Sequence, residues 1–402
     1  MVFRRLINCL AFGLIVIIGL SVSGCHDEEN FETETTEKVL FMYLPWSGNE
    51  FPLTSNFYTN VADMEKAIIQ RGLKRERVIV FFSTSIDEAE LYEIIYEDGK
   101  CIRKVLKEYS SPDLATVEGT ISILNDVKHF APALKYAMTI GCHGFGWIPS
   151  NSVRSRSNSS FKYHWEGDGV LTRWFGGNPS PKIDVTTLAE GLRVANMKME
   201  FILFDDCYMA GVEVAYDLRK VTNYLIASTS EVMAYGMPYQ LIGGYLLDEN
   251  PDYIAICDHF YEFYSAGSLP YGTLSVIDCS QLDALAEVMN EINARYTFDT
   301  SLLGYLQKLD GYSPTIFYDM GDYVQKLCGY DSLYNDFEDI LSRVVVYSVH
   351  TDNYLSNVNG RKEIYPIHSF SGLTISDPST SSKAVAKTNT AWWKATHRST
   401  TY

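Results

Sequence analysis

From residue 38 onward, short apolar runs alternate with longer stretches whose apolar residues recur at helical spacing, and few folds accommodate that alternation. Residues 39–44 (VLFMYL) are apolar throughout and stop at Pro45, and 78–82 (VIVFF), 136–140 (YAMTI), 201–204 (FILF) and 224–227 (YLIA) repeat the pattern. Runs this short, bounded by Gly, Pro and Asp, fit strands better than helices, and unbroken apolarity marks strands covered on both faces. Between them the spacing predicts helices over 56–71 (Phe57, Val61, Met64, Ile68, Ile69, closed by Gly72), 113–128 (Leu114, Val117, Ile121, Leu124, Val127), 185–196 and 211–219. Residues 90–107 read as a strand pair turning at Asp98-Gly99. The implied class is α/β, a mostly parallel sheet flanked by helices. Helical spacing at 281–295 and 332–346, with apolar runs at 273–277 and 372–375, predicts a C-terminal α/β extension or subdomain over 269–402, whose end docks through Trp392-Trp393.

Charge and cysteine usage exclude whole classes of partner. With 33 basic and 50 acidic residues the chain carries −17 at neutral pH and has no basic patch, so phosphate backbones are repelled and nucleic acid is not an expected partner. Of eight cysteines, six follow the first 25 residues: Cys101, Cys142, Cys207, Cys257, Cys279 and Cys328. None has close metal-ligand spacing, so no structural zinc is expected and no metal is assigned. A core of this size needs no disulfide staples, and most of these cysteines are expected to be small buried hydrophobes.

Residues 1–24 are expected to lie outside the fold. Arg4 and Arg5 precede an apolar run over 10–20 that is too short to span a bilayer, followed by Val22-Ser23-Gly24-Cys25, the layout of a secretory signal. The cysteine after Ser-Gly resembles a bacterial lipoprotein box, which implies lipidation of Cys25, a membrane anchor and an exported, envelope-bound protein. An ordinary signal peptide with a coincidental cysteine is the alternative. Residues 25–37 are polar and read as a flexible tether.

In a parallel α/β sheet, ligands bind beyond the carboxyl ends of the strands. After the run 136–140 comes Gly-Cys-His-Gly-Phe-Gly-Trp (141–147), and after 201–204 comes Asp-Asp-Cys-Tyr-Met-Ala-Gly (205–211). An imidazole and a thiol are thus expected at the same sheet edge, where His143 assists the Cys207 thiolate as a nucleophile. A helix starting just after Cys207 is expected to favour the thiolate through its dipole, with Asp205 or Asp206 able to cap it. The glycines around His143 allow close backbone approach to a substrate. Cys142 is the competing thiol, and His164-Trp165-Glu166 reads as solvated surface.

The HGFGW string at 143–147 and the DDCYM string at 205–209 are similar to clostripain-type cysteine peptidases. So are the first strand and its continuation (VLFMYLPWSGNEF), Ala227-Ser228-Thr229-Ser230-Glu231, and the late FSGLTI segment at 370–375. The likeness implies a caspase-like fold with a catalytic domain over 38–268. It makes His143 and Cys207 the catalytic pair and Gly144 and the Cys207 amide the oxyanion donors. It also implies cleavage after Arg or Lys, with Asp205 as the pocket acid and Glu231 as the candidate second carboxylate, although residues 232–236 (VMAYG) depart from the family pattern. No cofactor is required for the chemistry, and calcium is used by some relatives. The expected partner is a peptide or protein substrate; no oligomeric state is assigned. Several relatives cut themselves between the two motifs after a basic residue, and Arg154 and Arg156 in the polar 148–183 loop match that requirement. A catalytically inactive surface lipoprotein binding peptides or glycans, and a peptide-joining transamidase, are alternatives on the same scaffold.

Overall fold

In β1 (Lys38–Leu44) every residue is buried, and alternate side chains enter two different cores: Val39, Phe41 and Tyr43 one, Leu40, Met42 and Leu44 the other. That is the burial of a strand in the middle of a two-sided sheet. In the computed structural model the described residues are 35–45, 53–148, 175–176, 182–358, 361–376, 378 and 385–398.

The further strands are β2 (Glu76–Ser83), β3 (Glu88–Glu97), β4 (Lys100–Ser110), β5 (Lys135–Ile140), β6 (Met199–Phe204), β7 (Thr222–Ala227), β8 (Thr273–Asp278), β9 (Phe317–Asp319), β10 (Val345–His350), β11 (Asn353–Val358), β12 (Arg361–Pro366) and β13 (Thr374–Ser376). Among the described residues, nine of them form one sheet in the order β10-β8-β7-β6-β5-β1-β2-β3-β4. The five central strands, β7 to β2, run parallel, and the two at each flank pair antiparallel.

One face is covered by α1 (Leu53–Arg71), α5 (Tyr239–Leu247) and α6 (Tyr253–Ala266), through Phe57, Val61, Met64, Ile242, Leu246 and Phe260. The other carries α2 (Val117–Phe130), α3 (Val185–Val194), α4 (Val212–Leu218), α7 (Leu282–Arg295), α8 (Met320–Cys328) and α9 (Ser332–Val344). α10 (Ala391–Thr396) docks on α4, where the buried Trp392 meets Tyr216 edge-on at 5.5 Å.

The expected strand pair is β3–β4, joined where Asp98 (φ 50°) and Gly99 (φ 77°) adopt left-handed conformations. The helix expected from 113 starts four residues later, because Thr116 caps it: its Oγ1 accepts the Gly119 N–H at 3.2 Å. The helical spacing read through 346 ends at Val344, where the chain passes directly into β10. Residues on both sides of 268 supply strands to the same sheet, so the C-terminal region extends it. A smaller pair, β9 with β13, brings that region back to the centre, and Thr374 N–H donates to Ala210 O at 2.9 Å. Among the described residues no helix is long and apolar enough to cross a membrane.

Candidate active site

β5 and β6 are parallel neighbours with Ile140 opposite Phe204. Beyond them the ladder continues: Asp205 N–H donates to Ile140 O at 2.8 Å, and Gly141 N–H to Tyr43 O at 3.0 Å. His143 lies three residues past Ile140 and Cys207 three residues past Phe204, so equal steps from paired strand ends deliver both to one edge of the sheet. The two loops pack backbone to backbone. A Cβ on Gly144 would fall 2.3 Å from the Cys207 carbonyl oxygen and 2.8 Å from its amide nitrogen. Only glycine permits that approach. Asp206 ties the loops a second time, its Oδ1 accepting the Cys142 N–H at 2.7 Å. His143 and Cys207 are both buried, at 2% and 0% exposure.

The helix expected at Cys207 does not begin there. α4 starts at Val212, with Gly211 as its N-cap and no side-chain cap, so neither Asp205 nor Asp206 caps it. The reason is a competing set of backbone bonds. Tyr208, at φ 60°, turns the chain, and the Tyr208 and Ala210 N–H groups donate to Ser230 O and Ser228 O at 3.0 and 2.8 Å. Residues 208–210 are thus bonded to 228–230 before any helix can form. The sulfur meets the Val232 backbone, accepting its N–H at 3.3 Å and donating to its carbonyl oxygen at 3.8 Å. An amide donor there favours the thiolate by hydrogen bonding rather than by a helix dipole.

The competing thiol differs in having a carboxylate beside it. Cys142 Sγ lies 3.7 Å from Asp206 Oδ2 as a donor, and a carboxylate beside a thiol opposes its ionisation. Gly176 N–H donates to the same sulfur at 3.0 Å, and His143 N–H donates to Gly176 O at 3.3 Å, so Gly176 lies against the histidine loop. None of the six described cysteines is disulfide-bonded, and all but Cys101 are buried. Burial pushes the Cys279 thiol up to about 12 and the Cys101 thiol up to about 11, which suits inert side chains.

The buried Asp205 accepts the Met237 N–H on Oδ1 at 2.9 Å, which anchors the loop that carries Val232. Glu231, the candidate second pocket carboxylate, is bonded within the protein through one of its oxygens. Its Oε1 accepts from Tyr208 Oη (2.7 Å), Ser356 Oγ (2.7 Å) and Asn357 N–H (3.0 Å). Around it sits a buried polar group from the C-terminal region. Asp310 accepts the N–H groups of Tyr312, Ile316 and Phe317, and Phe317 stacks on Tyr208 at 5.0 Å. Burial lifts the Asp310 carboxyl to about 7, with the Glu231 charge adding to the lift. The Tyr208 hydroxyl is held far above its ordinary range for the same two reasons.

Val232 and Tyr208 were not legible as site residues, because one acts through its amide and the other through its backbone angle. Cys25, Arg154, Arg156 and His164 lie outside the described residues. Among the described residues no three His, Cys, Asp or Glu side chains are grouped to hold a metal ion.

A model of the clostripain family matches residues 58–366. No curated protein matches the chain. Among solved structures it is similar to a secreted C11 cysteine protease from Bacteroides thetaiotaomicron, "iotapain", at 52% identity and a TM-score of 0.82 over 90% of this chain and 99% of that one. An inactive zymogen C11 protease from Parabacteroides distasonis is 25% identical, with a TM-score of 0.76 over 90% and 99% of the two chains. A clostripain from Bacteroides thetaiotaomicron ATCC 29148, in complex with the peptide inhibitor BTN-VLTK-AOMK, is 56% identical with a TM-score of 0.53, covering 56% of this chain and 99% of that one.

Proposed function

This chain belongs to the clostripain family and is a cysteine protease of caspase-like α/β fold, and we propose that it is an exported, lipid-anchored endopeptidase that cuts after Lys or Arg through a Cys207–His143 dyad. The observation that carries the dyad is the pair of equal steps past Ile140 and Phe204, with Gly144 pressed against the Cys207 backbone. Family membership makes the chain an enzyme and so removes the inactive binding-protein alternative.

The Cys207 thiolate attacks the peptide carbonyl, forming a C–S bond and moving the carbonyl electrons onto oxygen. The Gly144 and Cys207 N–H groups receive that oxyanion. His143 protonates the amine as the C–N bond breaks, leaving a thioester. Water, deprotonated by His143, then attacks the thioester, releasing the acid and restoring the thiolate. The chemistry uses protein groups alone.

For specificity, Asp205 is the acid that receives the substrate cation. The inhibitor bound by the 56%-identical clostripain, written VLTK before its AOMK group, supports a basic residue at that position. Asp205→Ala is expected to lower kcat/KM for a lysine substrate by about 100-fold, the scale for losing one partner of a desolvated charge pair, while a matched alanine substrate changes little. Equal losses on both substrates would assign Asp205 to holding Met237 alone.

Export is supported by the secreted relative and by the N-terminal layout, which also supports lipidation of Cys25. Activation is proposed to follow cleavage after Arg154 or Arg156, supported by the zymogen relative and by the burial of both dyad residues. Purified wild type should give two fragments by intact mass, and Cys207→Ala or Arg154→Ala/Arg156→Ala one. Full activity from an uncut chain would remove this step.

A further inference from the structure

The C-terminal region contributes no group to the proposed chemistry, yet one of its strands is bonded to the residue beside the nucleophile. The link is Glu231. Its Oε1 accepts three hydrogen bonds, from the hydroxyl of Tyr208, from Ser356 Oγ and from the Asn357 N–H. Tyr208 directly follows Cys207 and holds a left-handed angle that a non-glycine residue adopts only under constraint. On the other side, Glu231 directly precedes Val232, whose N–H meets the sulfur at 3.3 Å. The carboxylate therefore grips both backbone segments that meet at Sγ, and β11 grips the carboxylate. Glu231 is 1% exposed, and among the described residues its Oε2 has no hydrogen-bond partner. A buried charge with one unsatisfied oxygen costs stability, and such costs persist where they support function.

We infer that Glu231 is a positioning residue for the nucleophile, and that β11 is the brace that holds it: the carboxylate fixes the turn at Tyr208 and thereby keeps the Val232 amide on Cys207 Sγ. The assignment deepens the proposed function and rests on Cys207 being the nucleophile. It differs from the pocket-acid role expected from sequence, since a pocket acid acts on substrate affinity and a positioning residue acts on turnover.

The two roles separate kinetically. In the full-length, processed enzyme, Glu231→Ala should lower kcat by about 30-fold with KM within about threefold, the scale of losing buried hydrogen bonds to a charged group. Glu231→Gln keeps an oxygen acceptor of the same size, so kcat should recover to within about fivefold of wild type. Ser356→Ala, which removes one of the three donors from a distant strand, should lower kcat by about three- to tenfold at unchanged KM. A rise in KM with kcat unchanged in the Glu231 variants would overturn the inference in favour of a substrate pocket. Wild-type kcat in Ser356→Ala would overturn the brace even if Glu231→Ala fails to fold. The parent reading is tested separately: turnover by Cys207→Ala would remove it whatever the Glu231 variants do, and its absence leaves the Glu231 results to stand on their own.

Discussion

Cys207→Ala is expected to lower kcat for peptide cleavage by at least about 10⁵-fold, the scale at which removal of a covalent nucleophile leaves only binding and oxyanion stabilisation. The sulfur is the sole protein atom in the proposed mechanism that bonds to substrate carbon, and no other protein group is proposed to replace it. Cys142 cannot take over, because its thiol donates to Asp206 and is held next to a negative charge. The protein should still fold. Replacing a thiol by a methyl removes one buried sulfur and leaves the Val232 N–H without its acceptor, a cost of about 1–3 kcal/mol. The remaining ties of the loop, at Asp205, Asp206, Tyr208 and Ala210, are untouched. Circular dichroism and thermal melting should therefore stay close to wild type while turnover vanishes. The variant should also accumulate as one uncut chain, since the same thiol is proposed to process the 148–183 loop.

His143→Ala is expected to cost about 10⁴-fold in kcat with a small change in KM, at the upper end of what a positioned acid–base group contributes. The loss falls on two steps, protonation of the departing amine and activation of water on the thioester. It should leave the Val232 N–H on the sulfur, so slow alkylation of Cys207 persists when peptide turnover does not. The residual rate should climb with pH, because the thiol then relies on solvent to take its proton. That pattern separates His143 from Cys207, whose loss removes alkylation and turnover together. His143→Ala with wild-type kcat across pH 6 to 9 would reassign the acid–base role.

The central sheet was legible because strands buried on both faces carry near-continuous apolar runs, and residues 39–44, 78–82, 136–140, 201–204 and 224–227 supply them within β1, β2, β5, β6 and β7. The ends of those runs also marked where the chain leaves the sheet, which is why His143 and Cys207 could be placed at one edge. Several features were not legible, each for a physical reason. α5 (YQLIGGYLL) is apolar on most sides and so has no periodicity to read, while β11 and β12 form a short hairpin whose Lys, Glu and Asn residues resemble a loop. The helix read over 211–219 is α4, whereas the helix start expected just after Cys207 is absent because Tyr208 and Ala210 bond to Ser230 and Ser228, a long-range pairing that local spacing does not show. The bonds of Glu231 were not legible because two of its partners, Ser356 and Asn357, lie 125 and 126 positions away.

All of this turns on which sulfur reacts, and covalent trapping reads that directly. Processed enzyme treated with a biotinylated lysine acyloxymethyl ketone peptide should gain one adduct, and digestion should map it to Cys207. Prior alkylation of the active enzyme should block it, and Cys207→Ala should remain unlabelled. An adduct on Cys142 or another cysteine, or equal labelling of Cys207→Ala, would contradict the account.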